Sequence, residues 1–293
     1  MSVFILIHGF SSSCTWFHYK DIQKDYLEKL DFVDNLKKIG KVYEHNMNFF
    51  NLNYFYQIEN DEKEKERMCK IYKKYKPQTD DLNFTIKDLT YERVCKNIYD
   101  GVIDKFGNDK KYILVCHSYG CLLGLCFNKM YKNKCLFNVF LDNPPYYEEI
   151  NVKTYNSKYF KKESETVKKY FKTNASLQKI LTKIKTSNEN VNDEILKVSD
   201  LIAYTDTLER LKYGFNKLLV FTMFFKAHYV KNLNKFKNDW NAWSVKEQKF
   251  LKRHNDIEMY DYYQLNDAEH FIWFKQKYSD FIVEKIIEKI ENL

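Results

Sequence analysis

Short apolar runs alternate along the chain with longer segments of helical periodicity. Val3–Ile7 and residues 112–116 are continuous apolar runs of the kind that form strands buried on both faces. Further strands are predicted at 42–45, 138–141, 217–225 and 257–265. Helices are predicted where apolar residues recur every three or four positions, at 16–30, 89–106, 121–131, 244–253 and 274–290. The alternation predicts a mostly parallel central sheet flanked by helices, with its chemistry at the carboxyl ends of the strands.

Residues 146–213 follow a different pattern. Apolar residues such as Phe160, Val167 and Phe171 keep helical spacing among many lysines, and no strand signal interrupts them. We therefore predict a core formed by 1–145 and 214–293, with 146–213 inserted as a helical cap or lid. The charged segment 61–76 interleaves Glu with Lys and is interpreted as a solvated helical insertion rather than a functional charge patch.

Composition narrows the class of protein. The 293 residues are 44% hydrophobic and 17% aromatic, which allows a substantial core and excludes a disordered chain. The net charge is +8, yet only four of the 48 basic residues are Arg, the residue that nucleic-acid readout favours. We expect no nucleic acid partner. The lysines of the cap are compatible with a peripheral contact with anionic lipid.

The cysteines and the start of the chain bear on location. There are seven cysteines and no C-x-x-C pair, and several lie in apolar runs, as in a reduced, cytoplasmic protein. The first residues lack the basic stretch of a secretion signal. The histidines outside the motifs below show no metal-ligand spacing, and there is no glycine-rich phosphate loop. The sequence predicts neither a metal nor a cofactor, and carries no signal for an oligomeric state.

One motif indicates nucleophilic chemistry. Residues 116–120, CHSYG, come directly after a predicted strand and before a predicted helix. A sharp turn of this kind holds Ser118 in a strained conformation and lifts its hydroxyl clear of the sheet. It also places the serine at a helix N-terminus, which favours developing negative charge. Gly120 avoids a side-chain clash in the turn.

This motif resembles the nucleophile elbow, G-x-S-x-G, of the α/β-hydrolase fold family, with Cys116 in place of the first glycine. Two further segments are similar to that family. Residues 8–10, HGF, resemble its H-G-x oxyanion loop. Residues 268–271, AEHF, occupy the place of its catalytic histidine, with Glu269 replacing the usual glycine.

The resemblance implies an α/β-hydrolase fold with an inserted helical cap, and a role for each motif. Ser118 would be the nucleophile and His270 its base, with the backbone amides of Phe10 and Tyr119 as the oxyanion hole. The implied function is that of an esterase- or lipase-like serine hydrolase. Such an enzyme would cleave a small-molecule carboxylic ester or thioester through an acyl-enzyme.

The acid of the triad has three readings. The family usually places an Asp just past the strand predicted at 217–225, but Lys226, Ala227 and His228 follow here. The first carboxylate downstream is Asp239, shortly before the helix predicted at 244–253, and we favour it. Asp142, at the end of the strand predicted at 138–141, is the alternative. The third reading is a Ser–His dyad without an acid.

The departures from the family pattern also support a function of another class. Cys116, Glu269 and the missing Asp after the strand at 217–225 are compatible with a protein that does no catalysis. The alternative hypothesis is therefore a ligand-binding or interaction protein on the same scaffold.

Overall fold

The computed structural model describes residues 2–9, 17, 32–45, 47, 84–144, 148–186, 192–215, 217–230 and 233–293. Three predicted features lie outside the described residues: the helix at 16–30 apart from Phe17, the charged segment at 61–76, and Phe10.

Within the described residues, six parallel strands form one sheet, as predicted. They are β1 Val3–Ile7, β2 Lys41–His45, β3 Tyr112–His117, β4 Cys135–Leu141, β5 Thr222–His228 and β6 Tyr260–Asn266. Their order across the sheet is β2-β1-β3-β4-β5-β6, with every neighbouring pair parallel. Because β1 is followed by β2 on one side and β3 on the other, the order switches between β1 and β3. In open parallel sheets, ligands bind at the carboxyl ends of the strands beside such a switch.

The described helices cover both faces of the sheet. Their bounds are α1 Phe32–Ile39, α2 Tyr91–Phe106, α3 Gly120–Tyr131, α4 Glu148–Tyr155, α5 Lys158–Tyr170, α6 Asn174–Thr186, α7 Asn192–Tyr213, α8 Lys235–His254 and α9 Gln276–Glu291. Alternate residues of β1 enter different cores. Val3, Ile5 and Ile7 pack with α2 and α3, whereas Phe4 and Leu6 pack with α1 and α9. No helix in the described part of the chain has the length and apolar character that crossing a bilayer requires.

The segment predicted as a cap contains α4 to α7 and, within its described residues, no strand. Helix α7 is anchored to the core at the start of α2. The carboxylate of Glu209 accepts a hydrogen bond from the amide of Tyr91 at 2.8 Å, and Asp206 accepts one from the Tyr91 hydroxyl. Arg210 pairs with Asp206 at 2.8 Å. The boundaries 146 and 213 stay a prediction.

Helix α8 begins nine residues before its predicted start at Ser244. The side chain of Asn234 caps it by accepting a hydrogen bond from the amide of Lys237 at 2.9 Å. The residues that face the core, Trp240, Ser244, Glu247 and Leu251, recur at helical spacing. Strand β5, by contrast, begins later than predicted, at Thr222 and not at 217. Its predicted first residues run beside the end of α8, where Leu218 donates its amide to Asn255.

Candidate active site

Ser118 lies in a sharp turn between β3 and α3. Its φ is +50°, in the left-handed region, and its amide donates to the carbonyl of Leu141 on β4 at 3.0 Å. The residue is half-buried. Tyr119 follows in helical conformation, and α3 begins at Gly120. The strand–turn–helix context predicted for the elbow is present, and it places Ser118 at the carboxyl edge of the sheet.

Two glycines explain how this turn fits. A Cβ on Gly120 would lie 2.3 Å from the carbonyl oxygen of Ile7, so only glycine permits the approach of α3 to the end of β1. A Cβ on Gly124 would lie 2.9 Å from the Sγ of Cys116. The side chain of Cys116 therefore fits because the residue facing it on α3 is a glycine. Position 116 is where the family usually has the first glycine of its motif.

The loop after β1 meets the turn at Ser118. A Cβ on Gly9 would lie 3.0 Å from the Cβ of Ser118. His8 holds this loop, because its Nδ1–H donates to the carbonyl of Gly9 at 2.8 Å and its Nε2 accepts from the amide of Met47 at 2.9 Å. Burial lowers the pKa of His8 to about 3, so the ring is neutral at pH 7. Phe10, the predicted second amide of the oxyanion hole, lies outside the described residues.

His270 is paired with Asp142. The Nδ1 of the imidazole lies 2.6 Å from Oδ2 of the carboxylate. Asp142 is fully buried, and its Oδ1 accepts from the amide of Ala227 at 3.0 Å and from the indole of Trp240 at 3.1 Å. Three donors thus fix the carboxylate. A proton on Nδ1 leaves Nε2 as the acceptor nitrogen of the neutral ring.

The carboxylate that contacts His270 is Asp142, the alternative acid, and not Asp239, which the sequence favours. Asp239 lies in the first turns of α8 with its side chain exposed. The physical reason is the early start of α8. The residues at 233–239 form a cap and a helical turn, so Asp239 shares a helix with Trp240 and faces solvent while Trp240 faces Asp142.

His117 connects the turn at Ser118 to the loop that carries His270. Its Nε2–H donates to the carbonyl of His270 at 3.0 Å, and the two rings lie 4.5 Å apart between centroids. Burial lowers the pKa of His117 well below its ordinary range, so it is a neutral donor. Within the described residues, no hydrogen bond joins the Ser118 hydroxyl to the His270 ring, and such bonds commonly tighten only when substrate binds.

Backbone strain concentrates in these loops. The described residues other than glycine with positive φ are Ser118, Asp142 and Asp267, at +50°, +47° and +59°. They directly follow β3, β4 and β6. Strain of this kind persists where the surrounding structure enforces it, and it is common at functional sites.

Comparison with solved structures identifies the class of fold. An epoxide hydrolase mutant from Bacillus megaterium matches with a TM-score of 0.52 and 12% identity, over 99% of this chain and 94% of its own. A Vigna radiata epoxide hydrolase mutant matches at 0.55 and 12%, over 100% and 92%. A thermophilic esterase from Thermogutta terrifontis matches at 0.51 and 10%, over 100% and 90%.

The chain therefore has the α/β-hydrolase fold, as the resemblance implied. At these identities the likeness shows the fold and nothing about the reaction. No protein-family model matches the sequence, and no curated protein sequence matches it. Within the ranges described, no group of three or more His, Cys, Asp or Glu side chains is arranged to hold a metal ion.

Proposed function

We propose that the protein is a serine hydrolase that cleaves a carboxylic ester or thioester through an acyl-enzyme. Ser118 is the nucleophile, His270 the base and Asp142 the acid. The observation that carries the proposal is the 2.6 Å contact between His270 Nδ1 and the buried Asp142, beside a serine in the left-handed turn of an elbow.

The reaction follows from these positions. Nε2 of His270 takes the proton of Ser118 as Oγ attacks the substrate carbonyl, and Asp142 stabilises the imidazolium that forms. The backbone amide of Tyr119, directly after the nucleophile, is assigned to the oxyanion together with that of Phe10. His270 then protonates the leaving alcohol or thiol. Water, deprotonated by the same imidazole, attacks the acyl-enzyme and releases the carboxylic acid.

The nucleophile favours an ester over an epoxide, although two of the structures compared above are of epoxide hydrolases. A serine hydroxyl that opens an epoxide forms an ether, which has no carbonyl for water to attack. The enzyme would be blocked after one turnover. An acyl-serine keeps its carbonyl, so the same base and oxyanion site can release it. Ser118 therefore suits repeated cleavage of acyl substrates.

Covalent labelling tests the proposal. A fluorophosphonate probe reacts with an activated serine by forming an oxygen–phosphorus bond and releasing fluoride. We expect labelling at Ser118, located by peptide mass mapping, and none in Ser118→Ala or His270→Gln. His254→Gln is the matched control, because His254 is exposed at the end of α8. An unlabelled wild-type protein would support a non-catalytic, ligand-binding role on the same scaffold.

Substrate assays separate the two reactions. A panel of p-nitrophenyl esters of increasing acyl length should be hydrolysed by the wild type and by His254→Gln, but not by Ser118→Ala. Styrene oxide should show no turnover. Turnover of the epoxide that survives in Ser118→Ala would overturn the assignment of the nucleophile.

A further inference from the structure

A lysine lies buried behind the proposed acid. Lys226 lies on β5, two residues before the end of that strand, and it is only 2% exposed. Its Nζ lies 3.9 Å from Oδ1 of Asp142 and 3.7 Å from Oε2 of Glu247. It also donates to the carbonyl of Asn143 and lies 4.9 Å from the centre of the Trp240 ring.

Glu247 completes a buried charge network. It projects from α8 and is 1% exposed. Its carboxylate accepts from the amide of the Asn143 side chain at 2.6 Å and from the hydroxyl of Tyr262 at 3.2 Å. Burial raises the pKa of Glu247. The network therefore runs from Glu247 through Lys226 to Asp142, and from Asp142 to His270.

Filling a core with such a network is energetically unfavourable compared with filling it with apolar side chains. A buried ammonium is strongly disfavoured unless opposite charges and hydrogen bonds compensate it, and well-packed apolar side chains of similar size are commonly at least as stable. The arrangement instead places one positive charge beside the carboxylate that contacts His270. From there, the Lys226 ammonium alters the electrostatic field at the His270 imidazole without contacting the ring.

We infer that Lys226 is a positioning residue whose ammonium partly neutralises Asp142 and so weakens the attraction of that carboxylate for a proton on His270. The inference rests on the proposed function for its meaning in catalysis. Without the cation, the buried carboxylate would stabilise the imidazolium more strongly. The base would then be protonated, and unable to accept the Ser118 proton, at a higher pH.

Several other groups face this network and enter the same balance. Among the described residues, the titratable or charged side chains next to Lys226, Asp142 or His270 are Glu247 on α8, Tyr262 on β6, Cys121 on α3, His117 on β3, Tyr229 after β5 and Glu269 directly before His270. None of these side chains is a second cation beside Asp142. Removal of Lys226 therefore leaves the negative charge of Asp142 without a neighbouring ammonium.

The test is the titration of the His270 ring in protein labelled with ¹⁵N-histidine, followed by NMR and assigned with His270→Gln. In Lys226→Met, which replaces the lysine with an unbranched, uncharged side chain one atom shorter, we expect the titration midpoint of His270 to move up by about one pH unit. Lys246→Met is the matched control, because it removes the charge of an exposed lysine next to Glu247. An equal midpoint in Lys226→Met and Lys246→Met would overturn the inference.

A second pair of variants guards against loss of folding. If Lys226→Met does not fold, Lys226→Met with Glu247→Gln is compared with Glu247→Gln alone, since the double variant buries no unpaired charge of the Lys–Glu pair. The same upward shift is expected, and identical midpoints would refute it. The titration does not require activity, so an unlabelled Ser118 would defeat the proposed function and leave this result standing. In an active enzyme, the acidic limb of the plot of kcat/KM against pH should move to higher pH by the same amount.

Discussion

Replacing Asp142 with Asn should reverse the proton pattern of His270. Both Ala227 and Trp240 donate to Oδ1 of Asp142, so the oxygen of the new amide has to stay on their side. The NH₂ group then faces Nδ1 of His270, where the carboxylate oxygen stood at 2.6 Å. An NH₂ group can only donate. The imidazole must therefore accept at Nδ1 and carry its proton on Nε2, the nitrogen that has to receive the Ser118 proton.

The expected loss in kcat/KM is about 10³- to 10⁴-fold, as for other triads whose acid is made an amide. This corresponds to a barrier increase of about 4 to 5.5 kcal/mol. Hydrolysis of p-nitrophenyl esters measures it, at a temperature where circular dichroism shows the variant to be folded. Asp239→Asn is the matched control and should stay within about twofold of the wild type, because that side chain is exposed on α8. Equal activity of Asp142→Asn and wild type, or a large loss in Asp239→Asn, would refute the reasoning.

Two stability predictions follow from the packing of the same loops. Gly120→Ala should lower the free energy of unfolding by about 3 kcal/mol or more in urea titrations, since its Cβ would lie 2.3 Å from the Ile7 carbonyl; Gly214→Ala, with φ +49° and open space around it, should lose only about 1 kcal/mol. Acid should also destabilise the fold. The pKa values of His8 and His117 are lowered from 6.5 by burial, so below that pH the unfolded chain binds protons that the folded chain excludes. Each ring should remove about 1.4 kcal/mol per pH unit as the pH falls below 6.5, and a flat urea midpoint between pH 7.5 and 5.5 would contradict this.

The parts of the site that the sequence predicts are those fixed by local backbone geometry. A strand followed by CHSYG has few ways to turn, and Gly120 indicates the close approach that the structure shows at Ile7. The loops that carry Gly9 and His270 also follow strand ends, and parallel strands bring their carboxyl ends to one edge of the sheet. The positions of Ser118, Gly9 and His270 could therefore be predicted without knowing any side-chain contact.

The acid could not be chosen in this way, because the choice depends on which side chain crosses from one strand end to another. Asp142 follows β4 and Asp239 follows β5, and these strands are neighbours in the sheet. One signal was present in the sequence: Trp240, Ser244, Glu247 and Leu251 recur at helical spacing, which starts α8 early and turns Asp239 outwards. Lys226 was beyond such reasoning, since its burial depends on Glu247 and Asp142 arriving from distant parts of the chain.

The central claim is that Ser118 carries the acyl group during turnover, and pre-steady-state kinetics tests it most directly. After rapid mixing with p-nitrophenyl acetate, the wild-type protein should release a burst of nitrophenolate of about one equivalent per chain. Intact and peptide mass spectra of the quenched reaction should place one acetyl group on Ser118, with neither burst nor adduct in Ser118→Ala. Hydrolysis that proceeds without an adduct, or with the acyl group on another residue, would contradict the account.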